Sequence, residues 1–454
     1  MMLRRLRYGG FTVIATTLAT LCAAPSPAQS SKCAPQGTPG AWQAGNQPVQ
    51  SPLLSADGRV TLRLCAPEAS TVRVFGDWDA GVSMGAALKM DGQGVWSVSF
   101  GPLKPDLYTY WFVVDGVKAI DPGNVHSASD AARIASYFIV AKPGTDSVLY
   151  QNSEVPHGEM STLWYSSKSV ASPRRALVYT PPGYRGGSEH YPVLYLLHGW
   201  GGDENEWTDL GRLTQIMDNM LSEKKIVPMI VIMPNGHHDR HAIPDISPPL
   251  SLAELAPLPP KGYDITPSVT EIAKSVVDDL VPYVDAHFRT IPDSSSRAIA
   301  GLSMGGGQAA YIGLNHPDLF AWVASFSGAI ISWPGAMISA QAQLPRATAG
   351  PVIPQYKLNP EAISKNVPGL NESINTKLQL LYISCGLDDG LITSNRDFEQ
   401  WLTEHKVNFV QREVPGYAHV WSFWRRSLVD LAPMLFRGPQ EAPESSGQPL
   451  LKHS

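Results

Sequence analysis
Ala298-Ile299-Ala300-Gly301-Leu302-Ser303-Met304-Gly305-Gly306-Gly307 is the stretch on which the reading of the chain turns. Its first three residues are apolar and strand-like, and a helical run follows from Gly306 to His316. Between them, Gly301 to Gly305 fits the pattern G-x-S-x-G. A serine at the apex of such a turn is held in a strained backbone conformation, so its neighbours must be small. Gly-rich turns with a serine also occur as plain connections. The strand before and the helix after single out Ser303 as a candidate nucleophile.

A serine hydroxyl is a weak nucleophile and needs a base. In a strand–turn–helix site of this kind the chain order is Ser, then Asp or Glu, then His. Four histidines lie downstream: His316, His405, His419 and His453. His316 ends the next helix, His405 sits on a charged helix beside Glu404 and Lys406, and His453 is in the tail. His419 alone follows a late strand, Phe409 to Val414, and a turn, Pro415-Gly416-Tyr417, which is where a general base belongs. The acid should follow the preceding strand, Leu380 to Ser384, and either Asp388 or Asp389 fits; the other would cap the helix that begins near Thr393. An oxyanion needs two backbone N–H donors. Met304, next after the serine, supplies one, and Trp200 in His198-Gly199-Trp200-Gly201-Gly202 supplies the other. His198 reads as a structural residue of that loop.

Outward from this site, strands alternate with helices. Ala176 to Tyr179, Val193 to Leu197 and Met229 to Met233 join the strands already named, with helices over Leu210 to Glu223 and Ser268 to Phe288. The alternation predicts an α/β domain over 155–437, with a mainly parallel sheet covered on both faces. Pro351 to Asn371 reads as irregular. The front differs. Val60, Leu62 and Leu64 alternate with polar residues, as do Val72 and Val74; Val95 to Phe100 and Tyr108 to Val114 are further strands. Asp91-Gly92 and Asp115-Gly116 supply turns. Short strands at this spacing predict an immunoglobulin-like β-sandwich over 58–145.

Residues 1–28 carry Arg4, Arg5 and Arg7 ahead of an apolar run from Phe11 to Ala24, the layout of a signal peptide, so export to the periplasm or beyond is expected. Residues 29–57 read as a linker and 438–454 as a disordered tail. The 454 residues carry a formal net charge of −5, which gives no reason to expect nucleic acid as partner. No later apolar run is long enough for a membrane span. A Cys33–Cys65 disulfide fits an oxidising compartment. No cofactor and no metal are expected, since the chemistry needs neither and no Cys/His spacing suggests zinc.

Tyr179-Thr180-Pro181-Pro182-Gly183-Tyr184, Leu196-Leu197-His198-Gly199, Pro234-Asn235-Gly236, the Ser303 motif, Cys385-Gly386 through Asp389, and Gly416 through Trp421 together resemble the esterase-D-like hydrolases. That group includes feruloyl esterases, acetyl xylan esterases, enterochelin esterases and mycolyltransferases. The resemblance spans about residues 155–437 and implies an α/β-hydrolase fold. It places the acid three residues after the glycine of the strand-end turn, which points to Asp389, and an oxyanion donor after the His-Gly pair, again Trp200. Val72 to Trp78, Gly92 to Phe100 and Leu107 through Pro122 are similar to the early-set modules found before isoamylases and in glycogen-binding proteins. Val155-Pro156-His157-Gly158 resembles the junction of two-domain esterases.

The Pro-rich stretch His237 to Tyr263 is long for a loop and should shape the substrate pocket. Trp421 is the expected substrate wall; Trp207 and Trp424 read equally well as core. Trp78, Trp96, Tyr110 and Trp111 either fill the front core or form a carbohydrate platform. These readings imply a secreted serine esterase acting on ester-bearing small molecules or polysaccharide, first of all a feruloyl esterase. Acetyl xylan esterase, a siderophore hydrolase and a non-catalytic carbohydrate-binding protein are the alternatives.

Overall fold
The structure is a computed structural model, and it describes residues 33, 49–78, 85–130, 133–238, 266–342, 354–437 and 451–453. The expected signal peptide, most of the linker, residues 438–450 of the tail and the loop from 239 to 265 lie outside the described residues.

The front of the chain forms two antiparallel sheets. One runs in the order Leu53–Leu54, Val60–Cys65, Val95–Phe100, Lys89–Met90. The other pairs Val72–Gly76 with Asp106–Val114 and Asp106–Val114 with Arg133–Val140. Alternation along Val60–Cys65 buries Val60, Leu62 and Leu64. They pack in one cluster with Val72, Val74, Tyr110, Phe112 and Phe138 of the second sheet. Trp96 belongs to that cluster and Trp78 packs against it, so core packing accounts for three of the four aromatics named above. Trp111 is half-buried, nearly parallel to Phe75 at 5.9 Å, with the Lys118 amine over its ring. Asp115-Gly116 makes a two-residue hairpin with both residues at positive φ. At Asp91-Gly92 it is Gly94 that takes positive φ. Cys33 is disulfide-bonded to Cys65 across a Cα–Cα distance of 5.9 Å.

The second part is built on one nine-stranded sheet. Its strands are β1 (Glu159–Ser167), β2 (Ser172–Thr180), β3 (Val193–Leu197), β4 (Ile230–Pro234), β5 (Arg297–Leu302), β6 (Trp322–Phe326), β7 (Leu380–Gly386), β8 (Phe409–Val414) and β9 (Leu451–His453). The order is β1-β2-β4-β3-β5-β6-β7-β8-β9. From β4 to β8 neighbours are parallel, and β1, β2 and β9 join antiparallel. The sheet is therefore mixed at both edges. Leu451–His453 pair with Phe409–Gln411 of β8.

All five residues of β3 are buried. Val193, Tyr195 and Leu197 enter one cluster, and Leu194 and Leu196 enter another. A strand apolar on both sides is what a sheet covered on both faces requires. The helices are α1 (Glu206–Asp209), α2 (Leu213–Ser222), α3 (Thr266–Lys274), α4 (Val281–His287), α5 (Met304–Asn315), α6 (Pro360–Asn366), α7 (Ile392–Glu404) and α8 (Trp421–Leu431). α3, α4, α5 and α7 cover one face, and α2 and α8 the other. Leu107, Leu149 and Tyr150, from the front sheets and the connection, enter the α2/α8 cluster. Pro351 to Asn371 is not irregular throughout: it holds a strand, Pro354–Leu358, and α6, whose Asn359 side chain caps the Glu361 N–H ahead of a proline start.

Candidate active site
Ser303 stands between β5 and α5 with φ 54° and ψ −117°. Its N–H donates to the Phe326 carbonyl at 2.9 Å, and its own carbonyl accepts from Gly307 at 3.0 Å and Ala329 at 2.8 Å. These bonds hold a conformation that costs about 1–3 kcal/mol when left to itself. The glycines are required by space: a Cβ on Gly301 would fall 2.3 Å from the Gly305 carbonyl oxygen, and one on Gly305 equally close to that of His198.

The parallel strands end on the same edge of the sheet, and their C-terminal loops meet there. His419, 5 residues past β8 and just before α8, places Nε2 2.8 Å from Ser303 Oγ and Nδ1 2.9 Å from Asp389 Oδ2. The partners fix the roles: the Nδ1–H donates to the carboxylate, and Nε2 accepts from the hydroxyl. Asp389, after β7, is fully buried, while the His419 side chain is 36% exposed. Burial works against the Asp389 charge. Its electrostatic interaction and hydrogen bond with His419, the Leu391 N–H and the Ser327 hydroxyl outweigh it, and the carboxyl is held below its usual range. Asp388 is exposed. The N–H bond at the start of α7 goes to Asp389 Oδ1 at 2.8 Å, so Asp389 itself fills the turn-stabilising role expected of the other aspartate.

Met304 adjoins Ser303 in the chain, and the loop carrying Trp200 approaches it. Met304 is the first residue of α5, where backbone N–H groups have no intrahelical acceptor. Trp200 follows Gly199, on which an added Cβ would lie 3.5 Å from the Ser303 Cβ. His198 holds this loop: Nε2 accepts from the Gly236 N–H at 2.8 Å and Nδ1 faces the Gly199 carbonyl at 2.8 Å. Glu204 anchors the far side of the loop, paired with Arg175 and accepting from Asn235 Nδ2 at 2.8 Å.

Trp421 is half-buried and packs edge-to-face with both Trp207 and Trp424, ring centroids 5.3 Å apart in each case. Trp207 and Trp424 are core residues. Two residues escaped the sequence reading. Ser327, just past β6 with φ 46° and fully buried, helps lower the Asp389 pKa and accepts the Trp424 indole N–H at 3.2 Å. Trp424 in turn packs edge-on to the His419 ring at 4.9 Å. The only sequence signal was Ser327-Gly328 after an apolar run. Gln308, buried on α5, donates to the carbonyls of Gly236 (2.8 Å) and Ser268 (2.5 Å) and ties the loop after β4 to the helix carrying the turn. Among the described residues no cluster of His, Cys, Asp and Glu is placed to hold a metal, and no helix is long and apolar enough to cross a membrane.

A hydroxyl, an imidazole and a buried carboxylate in series, beside backbone N–H groups, can carry acyl transfer. The chain is similar to proteins of that chemistry. An endo-1,4-beta-xylanase/feruloyl esterase of Xylanibacter ruminicola is 29% identical over 406 residues, 86% of this chain and 47% of that protein. An acetyl esterase of Caldicellulosiruptor saccharolyticus is 24% identical over 253 residues, 54% of this chain and 82% of that protein. The chain thus spans about half the length of the xylanase/feruloyl esterase. The enterobactin esterase of Shigella flexneri, solved in the presence of enterobactin, shares the fold at a TM-score of 0.57 and 17% identity, over 88% of this chain and 98% of that one. The family model described as "Putative esterase" matches residues 167–435, well over half of the chain. By that match, which spans residues 167–435, the protein belongs to the Esterase family.

Proposed function
We propose that the protein is an exported serine esterase that hydrolyses carboxylic esters on plant cell-wall polysaccharide, feruloyl esters first, through an acyl-enzyme. The hydrogen-bonded series Ser303–His419–Asp389 carries this reading. Ser303 Oγ attacks the ester carbonyl while His419 Nε2 takes its proton. Asp389 holds the imidazole in the correct tautomer and stabilises the imidazolium. The Met304 and Trp200 N–H groups receive the oxyanion. His419 returns the proton to the leaving alcohol, and water then releases the acid by the same steps reversed. Trp421 flanks the substrate.

The front sheets read as an early-set, immunoglobulin-like β-sandwich, a reading supported by their antiparallel pairing and shared core. Export is supported by the Cys33–Cys65 bridge, since such bridges persist in oxidising compartments. The feruloyl preference draws on the name of the Xylanibacter relative, and an acetyl ester is the second reading, drawn from the Caldicellulosiruptor relative. Purified protein incubated separately with feruloylated arabinoxylan, acetylated xylan and a cyclic catecholate triester tests the choice. Ferulate release should be fastest; acetate or catecholate fragments released faster would replace the feruloyl reading.

A further inference from the structure
Arg425 is one of the largest fully buried side chains, and nothing in the proposed reaction uses it. It lies on α8, next to Trp424 and 6 residues past His419. Its guanidinium reaches three separate parts of the molecule. Nη2 donates to Asp106 Oδ1 at 2.9 Å and to the Leu107 carbonyl at 2.8 Å, both on the front strand Asp106–Val114. Nη1 donates to the Leu210 carbonyl at 2.9 Å, just past α1, the short helix that ends the Trp200 loop. Its carbon lies over the Tyr150 ring at 5.3 Å. Asp77, a second front-domain carboxylate bound by the Thr109 N–H at 2.9 Å and hydroxyl at 3.0 Å, is within electrostatic reach of the same guanidinium.

Arg212 makes a parallel link. It stands just before α2, and its Nε donates to the Tyr150 carbonyl at 2.9 Å. Leu107 and Tyr150 are packed in one cluster with Trp207 and Trp424. The two loops that flank Ser303 therefore run back into elements gripped by the front domain: the Trp200 loop through α1 and Leu210, and the His419 loop through α8.

We propose that the front domain is a working part of the catalytic centre, in which Asp106 and Leu107 hold Arg425 and so fix the spacing between the His419 loop and the Trp200 loop. Arg425 is thus a positioning residue, acting through Trp424 and α8. The proposal rests on the serine-esterase reading. A planar fork suits three acceptors in different directions, which a lysine amine cannot match. Displacements of the order of 1 Å at a reacting group cost rate and leave binding largely intact.

Two full-length variants test this on a small soluble aryl ester. Arg425→Lys keeps the charge and loses the fork. Asp106→Leu combined with Arg425→Met replaces the pair by apolar groups, a swap that commonly preserves stability. In both, kcat should fall roughly 10- to 100-fold with KM within about twofold and the melting temperature nearly kept. Wild-type kcat in either folded variant overturns the proposal. So does a loss of kcat that only tracks melting temperature, or failure of both variants to fold, because either makes the pair a stability element alone. Ser303→Ala is run alongside. Retained turnover there removes the esterase reading itself, an outcome distinct from failure of the Arg425 clamp.

Discussion

Asp389, with no exposed side-chain surface, stands 2.9 Å from Nδ1 of His419, while its neighbour Asp388 faces solvent. Two adjacent aspartates on one turn thus have different environments. Asp389→Asn should lower kcat by roughly 10⁴-fold, because an amide no longer enforces the tautomer that leaves Nε2 free to accept. Asp388→Asn should stay within about tenfold of wild type, as expected of a group outside the unit. Steady-state kinetics of the two variants decides; the reverse order would mean that the wrong carboxylate has been assigned.

Ser327 supplies the next test. Its hydroxyl helps hold the Asp389 carboxyl below its usual range and accepts from Trp424, and its backbone takes a left-handed φ of 46°. Ser327→Ala and Ser327→Gly both remove the hydroxyl, but only glycine adopts that φ without strain. A hydrogen bond to a charged group is worth about 1.5–3 kcal/mol, so both variants should lose roughly tenfold or more in kcat. A glycine variant with full activity would show that the position matters for its backbone alone.

Glu399 makes stability depend on pH. It lies on α7 with its carboxylate against Gln411 Nε2 at 2.6 Å. Burial pushes its pKa up from 4.5 to about 8, helped by Glu413 and opposed by Gln411 and Arg396. Between those two values the unfolded chain has lost this proton and the folded chain retains it, so its contribution to stability falls as pH rises. The melting temperature should therefore drop between pH 5 and pH 8 by more in wild type than in Glu399→Gln, a difference read by calorimetry at a series of pH values. Equal slopes would place the carboxylate in a more solvated setting.

Much of the site was legible because its signals are short-range. The turn at Ser303 is dictated by glycines that have no room for a Cβ, and β3 announced itself as a continuous apolar run. α6 carries a local signal in Asn359-Pro360-Glu361, a cap followed by a proline start, but the prolines around it make the stretch read as irregular. β6 was missed because a five-residue apolar run does not by itself distinguish a strand from a buried helix turn. β1 was missed because its first four residues are exposed and polar alternation is weak. The link from Asp106 to Arg425 spans 319 positions, and that from Ser327 to Trp424 spans 97; no local pattern encodes either. The residues alone left Asp388 and Asp389 open, because burial, which separates them, is not visible in two adjacent identical residues; only the resemblance pointed to Asp389.

Ser303→Ala is the most direct measurement of the central claim, because the 2.8 Å contact with His419 Nε2 assigns that hydroxyl the first bond-forming step. The variant should fold as wild type does and hydrolyse a small aryl ester roughly 10⁴- to 10⁶-fold more slowly, since members of such a unit act together. It should also fail to form the covalent adduct that wild type forms with an organophosphonate. Turnover within about tenfold of wild type in a folded Ser303→Ala protein would contradict the assignment of nucleophile, base and acid alike.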